Sequence, residues 1–536
     1  MHPTSSKKIV TRLNYVVMMA VVMLVHHQIN AQNQTIELLQ ADVTEYDVEF
    51  IDAERVKGNV RFKQDNVYMN CDSAYFFRKE NKINAFGHIY IRQQDTLNLW
   101  GDYLEYDGDK KLAYVKENVR LRDQQMELKT NLVQYDLNSK TAFYTTGGRI
   151  TNGEDRLRSR VGRYYSRSKE FFFKDSVVLI NPEYTMKSDT LQYNTFTKIA
   201  VFHGPTYITS EENTIFCRYG WYDTKNNTSQ FSKGAWIEGK ENKLIADSML
   251  YNRNTEVGRA FNNITLIDTI ERIKIRGEKG IYHRRERRTR ITGNPLAIKY
   301  IDDDSLFLRA DTLIDERDSN DVRKLSAFNH TVIHKSDMQG VSDSLVYSFT
   351  DSTIWMFGLP ILWTEQNQIT GDTLIIYRKN GELHKMDAQN NAFIASEEVP
   401  GTYNQISGRN MTSYFSNNKL KKVHVYGNGQ SVYYAKENDT SYTGVNHIIC
   451  SDMLIMIDSN KVDGITFYDK PEGGFYPVGQ LPKEKSVLPN LKWQAEKRPQ
   501  LLWFIDQKNQ QEAELPETVT DLLDKTNEDV ETIDMK

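Results

Sequence analysis

Residues 87–107 read Gly-His-Ile-Tyr-Ile-Arg-Gln-Gln-Asp-Thr-Leu-Asn-Leu-Trp-Gly-Asp-Tyr-Leu-Glu-Tyr-Asp. Two apolar-alternating stretches lie here within one short span. In Gly87-His88-Ile89-Tyr90-Ile91 the apolar Ile89 and Ile91 share one face of a strand, because successive strand side chains point to opposite sides. In Asp102-Tyr103-Leu104-Glu105-Tyr106-Asp107 the pattern is Asp-x-Leu-x-Tyr. Both patterns recur along the chain. The last position of the second falls at Phe76, Tyr106, Tyr135, Tyr164, Tyr193, Tyr222, Tyr251 and Tyr282, in steps of 30, 29, 29, 29, 29, 29 and 31 residues. It continues through Asp315, Tyr347, Tyr377, Tyr414 and Met456 with intervals of up to 42, giving about thirteen units.

The first pattern lies halfway between these rungs, as in Gly58-Asn59-Val60-Arg61-Phe62, Asn118-Val119-Arg120-Leu121 and Asn263-Ile264-Thr265-Leu266. Each unit is therefore expected to hold two short strands separated by turns, with one apolar face. Stacking the units aligns that face into a continuous stripe. At about 4.8 Å per strand, thirteen units span roughly 60 Å if the two strands of a unit face one another across a lumen, and about twice that if they lie side by side.

Composition agrees with an all-β chain: 30 Tyr and 23 Phe stand beside 12 Pro. A net charge of −4 gives no overall basic field of the kind that attracts nucleic acid. The first 31 residues have the layout of a secretory signal peptide, with basic Lys7, Lys8 and Arg12, an apolar run from Tyr15 to Val25, and a cleavage position after Ala31. The alternative is an uncleaved membrane anchor. Five of the twelve prolines fall between Pro471 and Pro499, a composition that does not continue a hydrogen-bonded ladder. The reading by segment is a signal peptide (1–31), regular β-repeats (36–285), less regular β-repeats (286–460), a Pro-rich cap or linker (461–510), and an acidic tail (511–536) whose composition predicts disorder.

The alternation of a Gly-Asn-Val strand (Gly58-Asn59-Val60) with an Asp-x-Leu-x-Tyr-Asp strand (Asp102 to Asp107), from about residue 36 to 460, resembles the organic-solvent-tolerance (OstA-like) family, which includes the periplasmic bridge of lipopolysaccharide transport. The resemblance implies an elongated, repetitive open β-jellyroll, or β-taco, whose apolar interior carries lipopolysaccharide acyl chains between membranes. It implies a periplasmic protein associated with the inner or outer membrane. Its partners would be lipopolysaccharide or another acylated lipid, and other envelope lipid-transport proteins joined through end-to-end β-strand pairing. This chain has many more units than the short bridge protein. It also has far too few residues after 460 for the transmembrane barrel of the large outer-membrane member.

The candidate groove lining is Val60, Phe62, Ile89, Ile91, Val119, Leu121, Ile264 and Leu266 on one strand type and Leu104, Leu191, Met249 and Leu345 on the other. Each buried methylene of a lipid gains about 0.8 kcal/mol, so such a groove needs no precise polar contact. The alternative is a closed core in which these residues pack only on each other.

The Asp that recurs at 72, 102, 189, 247, 311, 343 and 452 suits scaffolding of turns, since a catalytic carboxylate pair would be a local exception. Cys71, Cys217 and Cys450 lack the spacing of a metal or redox site and are read as buried and unpaired. The run His283-Arg284-Arg285-Glu286-Arg287-Arg288 is the one dense basic patch, and Arg284, Arg285, Arg287 and Arg288 are candidates for contacts with head-group phosphates, against a solvated turn. The sequence points to no catalytic residue, metal or cofactor, and so to a protein that is not an enzyme. Competing readings are an exported β-helix enzyme acting on carbohydrate and a purely structural envelope protein.

Overall fold

The computed structural model describes residues 35–46, 52–93, 97–123, 126–301, 304–379, 381–436, 441–458 and 461–504. The expected signal peptide and acidic tail lie outside the described residues. The chain divides into two units, residues 1–182 and 183–536. In both, the described residues form antiparallel strands, with three short 3-10 turns near the C-terminus.

The repeat is a meander. In the first unit Val67–Phe77, Lys82–Gln93, Leu97–Asp107, Leu112–Asp123 and Met126–Asp136 pair in chain order, each with the strand before and after it. The two strands of a repeat thus lie side by side, and they are longer than the sequence pattern suggests, 11 or 12 residues in these five.

The reason is the position of the Gly-Asn pair. It does not open a strand but sits in the middle of one: Gly58 and Asn59 lie within Glu54–Gln64 with φ of 77° and 43°. Against the next strand, Lys57 pairs with Ser73 and Val60 with Cys71, so two residues oppose the single Asp72. This is a β-bulge, and it bends the strand. The same left-handed pair recurs at Gly87-His88, Glu117-Asn118, Asp175-Ser176, Lys233-Gly234, Asn262-Asn263, Asn329-His330 and Asn390-Asn391. Local sequence reads such a pair as a turn because Gly and Asn tolerate φ > 0.

The recurrent Asp occupies the same crease, inside a strand at Asp72, Asp102, Asp189, Asp247 and Asp343 and at or just before the start of one at Asp311, Asp372 and Asp452. Its partner is mainly a side chain of the bulge rather than a turn N–H. Asn59 Nδ2 donates to Asp42 at 2.8 Å, Asn118 to Asp102 at 2.5 Å, Asn263 to Asp247 at 2.9 Å and Asn391 to Asp372 at 3.1 Å. His88 and His330 take the Asn role on Asp72 and Asp311, at 2.7 and 2.9 Å. Each of these bonds joins the crease of one strand to that of another.

In the second unit some long strands are replaced by two half-strands, as in Arg288–Thr292 with Leu296–Ile301 and Thr353–Phe357 with Ile361–Thr364. The ladder runs beyond Pro471: Glu472–Tyr476 still pairs with Tyr442–Cys450. Pro471 and Pro477 bracket that strand, where neither has to donate to the ladder. Afterwards the chain turns back as a strap over the outer face of its own unit. Gln405 Nε2 donates to Ser486 O at 2.9 Å while Leu488 N donates to Gln405 Oε1 at 2.7 Å. Gln368 makes the same pair of bonds with Lys492 O and Gln494 N, at 2.6 and 2.8 Å. Arg498 Nε donates to Gln339 at 2.8 Å, and Phe504 packs on Phe307 and His334 with ring centroids 5.8 and 5.9 Å apart.

Candidate functional site

Bending each strand makes its two halves face one another, and the inner side chains form columns that cross from strand to strand. In the first unit one column runs Phe62, Met69, Ile91, Leu99, Leu121 and Leu128, all at 0–2% exposure. The facing half supplies Phe76 and Leu104, and the rings of Phe62 and Phe76 meet across the interior at 5.4 Å.

The free margins of the two halves are tied by a polar ladder that also has the repeat period. The Tyr106 hydroxyl donates to Gln64 Oε1, that of Tyr135 to Gln93 Oε1 at 2.6 Å, and that of Tyr164 to Asp123 Oδ2. The same glutamines donate from Nε2 to Gly108 O and Leu137 O, at 2.9 and 3.1 Å. Lys111–Asp65 and Lys169–Asp123 ion pairs of 2.6 and 2.8 Å reinforce the margin. Burial raises the pKa of Tyr106, Tyr135 and Tyr164, so these phenols stay protonated donors. Here the interior is enclosed. Val60, Phe62, Ile89, Ile91, Leu104, Val119 and Leu121 are packed at 0–2% exposure.

The second unit begins differently. Its corresponding column runs Met186, Ile208, Ile215, Ile237, Leu244, Leu266 and Ile275. Met186 and Ile275 are buried, whereas the five between them are partly exposed. On the opposite half Tyr193, Tyr222 and Tyr251 are also partly exposed, and Tyr282 is 41% exposed.

The sequence supplies the cause. Counting on by 29 from the margin position Asp123 leads through Asn152 and Asn181 to Ser210, Gly239 and Asp268. At the offset of 41 or 42 residues that the three ties set, Ser210 and, within one residue, Gly239 correspond to Tyr251 and Tyr282, and a serine and a glycine are too short to reach across to them. Tyr222 and Tyr251 hydrogen-bond to Arg253 and Arg284. Hydrogen bonds to Glu183 and then Tyr222 raise the Arg253 pKa, and a hydrogen bond to Tyr251 followed by the charge of Glu212 raises that of Arg284. Arg253 and Arg284 pair with Glu183 and Glu212 at 2.6 and 3.2 Å. The result is an apolar furrow over the strands from Tyr184–Asn194 to Val257–Asp268. At its far end Leu266 packs against the next buried cluster, where a narrow cavity is lined by Ile273, Leu306, Leu325, Ile333, Leu345 and Ile354.

Of the residues singled out from sequence in this unit, Leu191, Met249, Ile264 and Leu345 are buried at 1–3% exposure and Leu266 lies in the furrow. Ile208, Ile215, Ile237 and Leu244 were missed. The signal was present: Ile91, Leu121, Ile150, Leu179, Ile208, Ile237 and Leu266 follow one another at 30, 29, 29, 29, 29 and 29 residues.

The basic run supplies four ion pairs: Arg284–Glu212, Arg285–Glu256 at 3.4 Å, Arg287–Asp321 at 2.5 Å and Arg288–Glu316 at 3.4 Å. The three cysteines are free and buried, and burial pushes the thiols of Cys71 and Cys217 up to about 12. Among the described residues no three His, Cys, Asp or Glu side chains converge as metal ligands, and no helix is long and apolar enough to cross a membrane.

Residues 33–189 match the family described as OstA-like protein, and residues 274–382 match the family described as LptA/(LptD N-terminal domain) LPS transport protein. No curated protein matches the chain.

Proposed function

We propose that this chain, which belongs to the OstA-like family of lipopolysaccharide-transport proteins, shelters the acyl chains of lipopolysaccharide or a related acylated lipid in the furrow of its second unit. The observation that carries this reading is the contrast along one column. Ile91, Leu99, Leu121 and Leu128 are sealed at 0–1% exposure behind a laced margin. Ile208, Ile215, Ile237, Leu244 and Leu266 are equally apolar and remain accessible where Ser210 and Gly239 stand at lacing positions. Five adjacent strands at about 4.8 Å spacing give an apolar track of roughly 20 Å, enough to exclude many methylenes from water at about 0.8 kcal/mol each.

In this reading the protein works as a periplasmic bridge or chaperone and meets other envelope lipid-transport proteins end to end. The strand Val43–Tyr46, exposed at every position, would offer them one end. Arg284, Arg285, Arg287 and Arg288 lie close in sequence to the furrow strands. Exposed ion pairs are worth only about 0–1 kcal/mol, so a head-group phosphate can replace their carboxylate partners.

The test is a photoreactive residue at Ile237 and, separately, at Ile91, in protein purified from the cell envelope. Lipid should crosslink at position 237 and not at 91. Lipid-free protein, or equal crosslinking at the two positions, refutes the assignment.

A further inference from the structure

The inner column of the first unit continues from Leu128 to Ile150 and Leu157, and each of its members is flanked in sequence by two residues that point outward, since strand side chains alternate. Over the strands from Glu54–Gln64 to Asp155–Ser159 these flanking residues line up as two parallel outer columns. One runs from Arg61 to Arg158 and the other from Lys63 to Arg156, each member the cross-strand partner of the next. Their composition is one-sided. The first column carries Arg61, Arg120, Lys129, Arg149 and Arg158, and the second Lys63, Arg92, Arg122 and Arg156, nine cations against the single carboxylate of Glu127. Lys63 is partly exposed and the other eight are exposed. The whole chain carries −4, so the strip is a local concentration that net charge averages away.

The arrangement works against the fold. Arg120 lies directly across from Lys129, Lys129 from Arg149, and Arg149 from Arg158, and like charges directly opposite one another destabilise a sheet. Among the described residues Lys129 alone of the nine pairs with a carboxylate, that of Glu127 at 3.2 Å. Spacings of about 4.8 Å between strands and about 7 Å between the two columns fall within a Debye length of about 8 Å, so the charges act as one field. Aromatic rings fill the columns where cations are sparser. Tyr90 stacks on Trp100 with centroids 5.4 Å apart, Arg120 lies 4.3 Å over the Trp100 ring, and Arg92 lies 5.5 Å over that of Tyr68.

The geometry points to this strip as the face by which the protein lies on a bilayer of anionic phospholipid. The cations are spread over eight strands, roughly 35 Å, and do not converge on one point, which suits a field of head groups better than one shaped ligand. Each Lys or Arg near an anionic membrane surface raises partitioning about fivefold. Tyr and Trp are the rings favoured at head-group level, and Tyr68, Tyr90 and Trp100 are all at least partly exposed within the strip. An anionic surface also offsets the repulsion among Arg120, Lys129, Arg149 and Arg158, which the sheet itself leaves standing. The strip belongs to the first unit, and this inference stands independently of what the furrow of the second binds.

The test is co-sedimentation of the full chain, purified from the cell envelope, with vesicles of phosphatidylcholine alone or of phosphatidylcholine and phosphatidylglycerol in equal parts, at physiological ionic strength. Binding to the anionic vesicles only is expected. In the variant Arg120→Gln, Arg122→Gln, Arg149→Gln, Arg158→Gln the affinity should fall at least about a hundredfold, while the melting temperature stays level or rises because like-charge pairs are removed. The comparison variant Lys79→Gln, Lys82→Gln, Lys110→Gln, Arg163→Gln removes the same charge from the facing half of the unit and its turns, and should cost less than about tenfold. Equal binding to neutral vesicles, equal losses in the two variants, or a lowered melting temperature in the first overturns the proposal. Displacement of the vesicles by heparin at equal charge concentration assigns the strip to a polyanionic chain and overturns it as well.

Discussion

Replacing Ile237 and Leu244 together by Asp separates a binding surface from a core. The two residues are direct cross-strand partners in the middle of the furrow, and both are partly exposed. Carboxylates at these positions can turn to water, so the fold should persist. A lipid that loses contact with about four methylenes loses about 3 kcal/mol, a hundredfold in affinity. The comparison variant is Ile89→Asp with Ile91→Asp, at positions 1% and 0% exposed behind the laced margin. There each substitution forfeits roughly 1.5–3 kcal/mol of apolar burial and strands a carboxylate at a cost of several kcal/mol more. Against a total stability on the order of 5–15 kcal/mol, the first unit should unfold. The assay is displacement of a fluorescent acylated lipid, with amide hydrogen exchange of each unit as the control for folding. If the Ile237/Leu244 variant stays folded and binds within threefold of the parent, the furrow is not the lipid site.

Other expectations follow from the same contacts. Tyr135→Phe removes a margin tie and leaves Gln93 Oε1 short of a donor, so exchange in the strands of the first unit should accelerate in keeping with a loss of about 1–3 kcal/mol; unchanged exchange would show that the margin is not closed by these bonds. Gly87→Ala should destabilise the crease, because the residue has φ of 74° and a Cβ there would lie 2.3 Å from Asp72 Oδ2. A melting temperature unaltered by that change contradicts the left-handed crease. The strap should loosen in acid. Burial lowers the His334 pKa, Asp304 opposes this and Arg498 adds to it, and His447 is lowered by burial and Lys485. Each imidazole is neutral in the docked state, so docking is at full strength above about pH 6.5, the ordinary histidine value, and weakens as pH falls from there toward the lowered docked values. Proteolysis at Lys492 and Lys497 should therefore speed up below that pH, and a pH-independent rate would rule out this coupling.

The period was legible in the sequence because Tyr106, Tyr135 and Tyr164 each do the same work at the same place, and identical work selects identical residues. The crease was not, because Gly58-Asn59 adopts the same left-handed dihedrals whether it reverses a chain or bends a strand, and only pairing with Ser73 and Cys71 distinguishes the two. The furrow depends on what Ser210 and Gly239 fail to do, and an unmade bond leaves no motif. The strap was equally hidden: Arg498 meets a glutamine 159 residues earlier, through irregular backbone with no periodicity to read.

The direction of the strap has a consequence for how the molecule comes into being. Hairpins of a meander can add one by one as the chain emerges, since each needs only the hairpin before it. The outer face of the second unit does not obey that order. Trp363, Gln368 and Gln405 stay bare until Ser486 to Phe504 have appeared, and the strap reaches the oldest of the hairpins it covers last. A nascent chain therefore exposes a sticky flank along much of its length. Residues 486–504 act as the seal, and a stop codon before residue 486 should yield a chain that aggregates or is degraded even though every described strand is present.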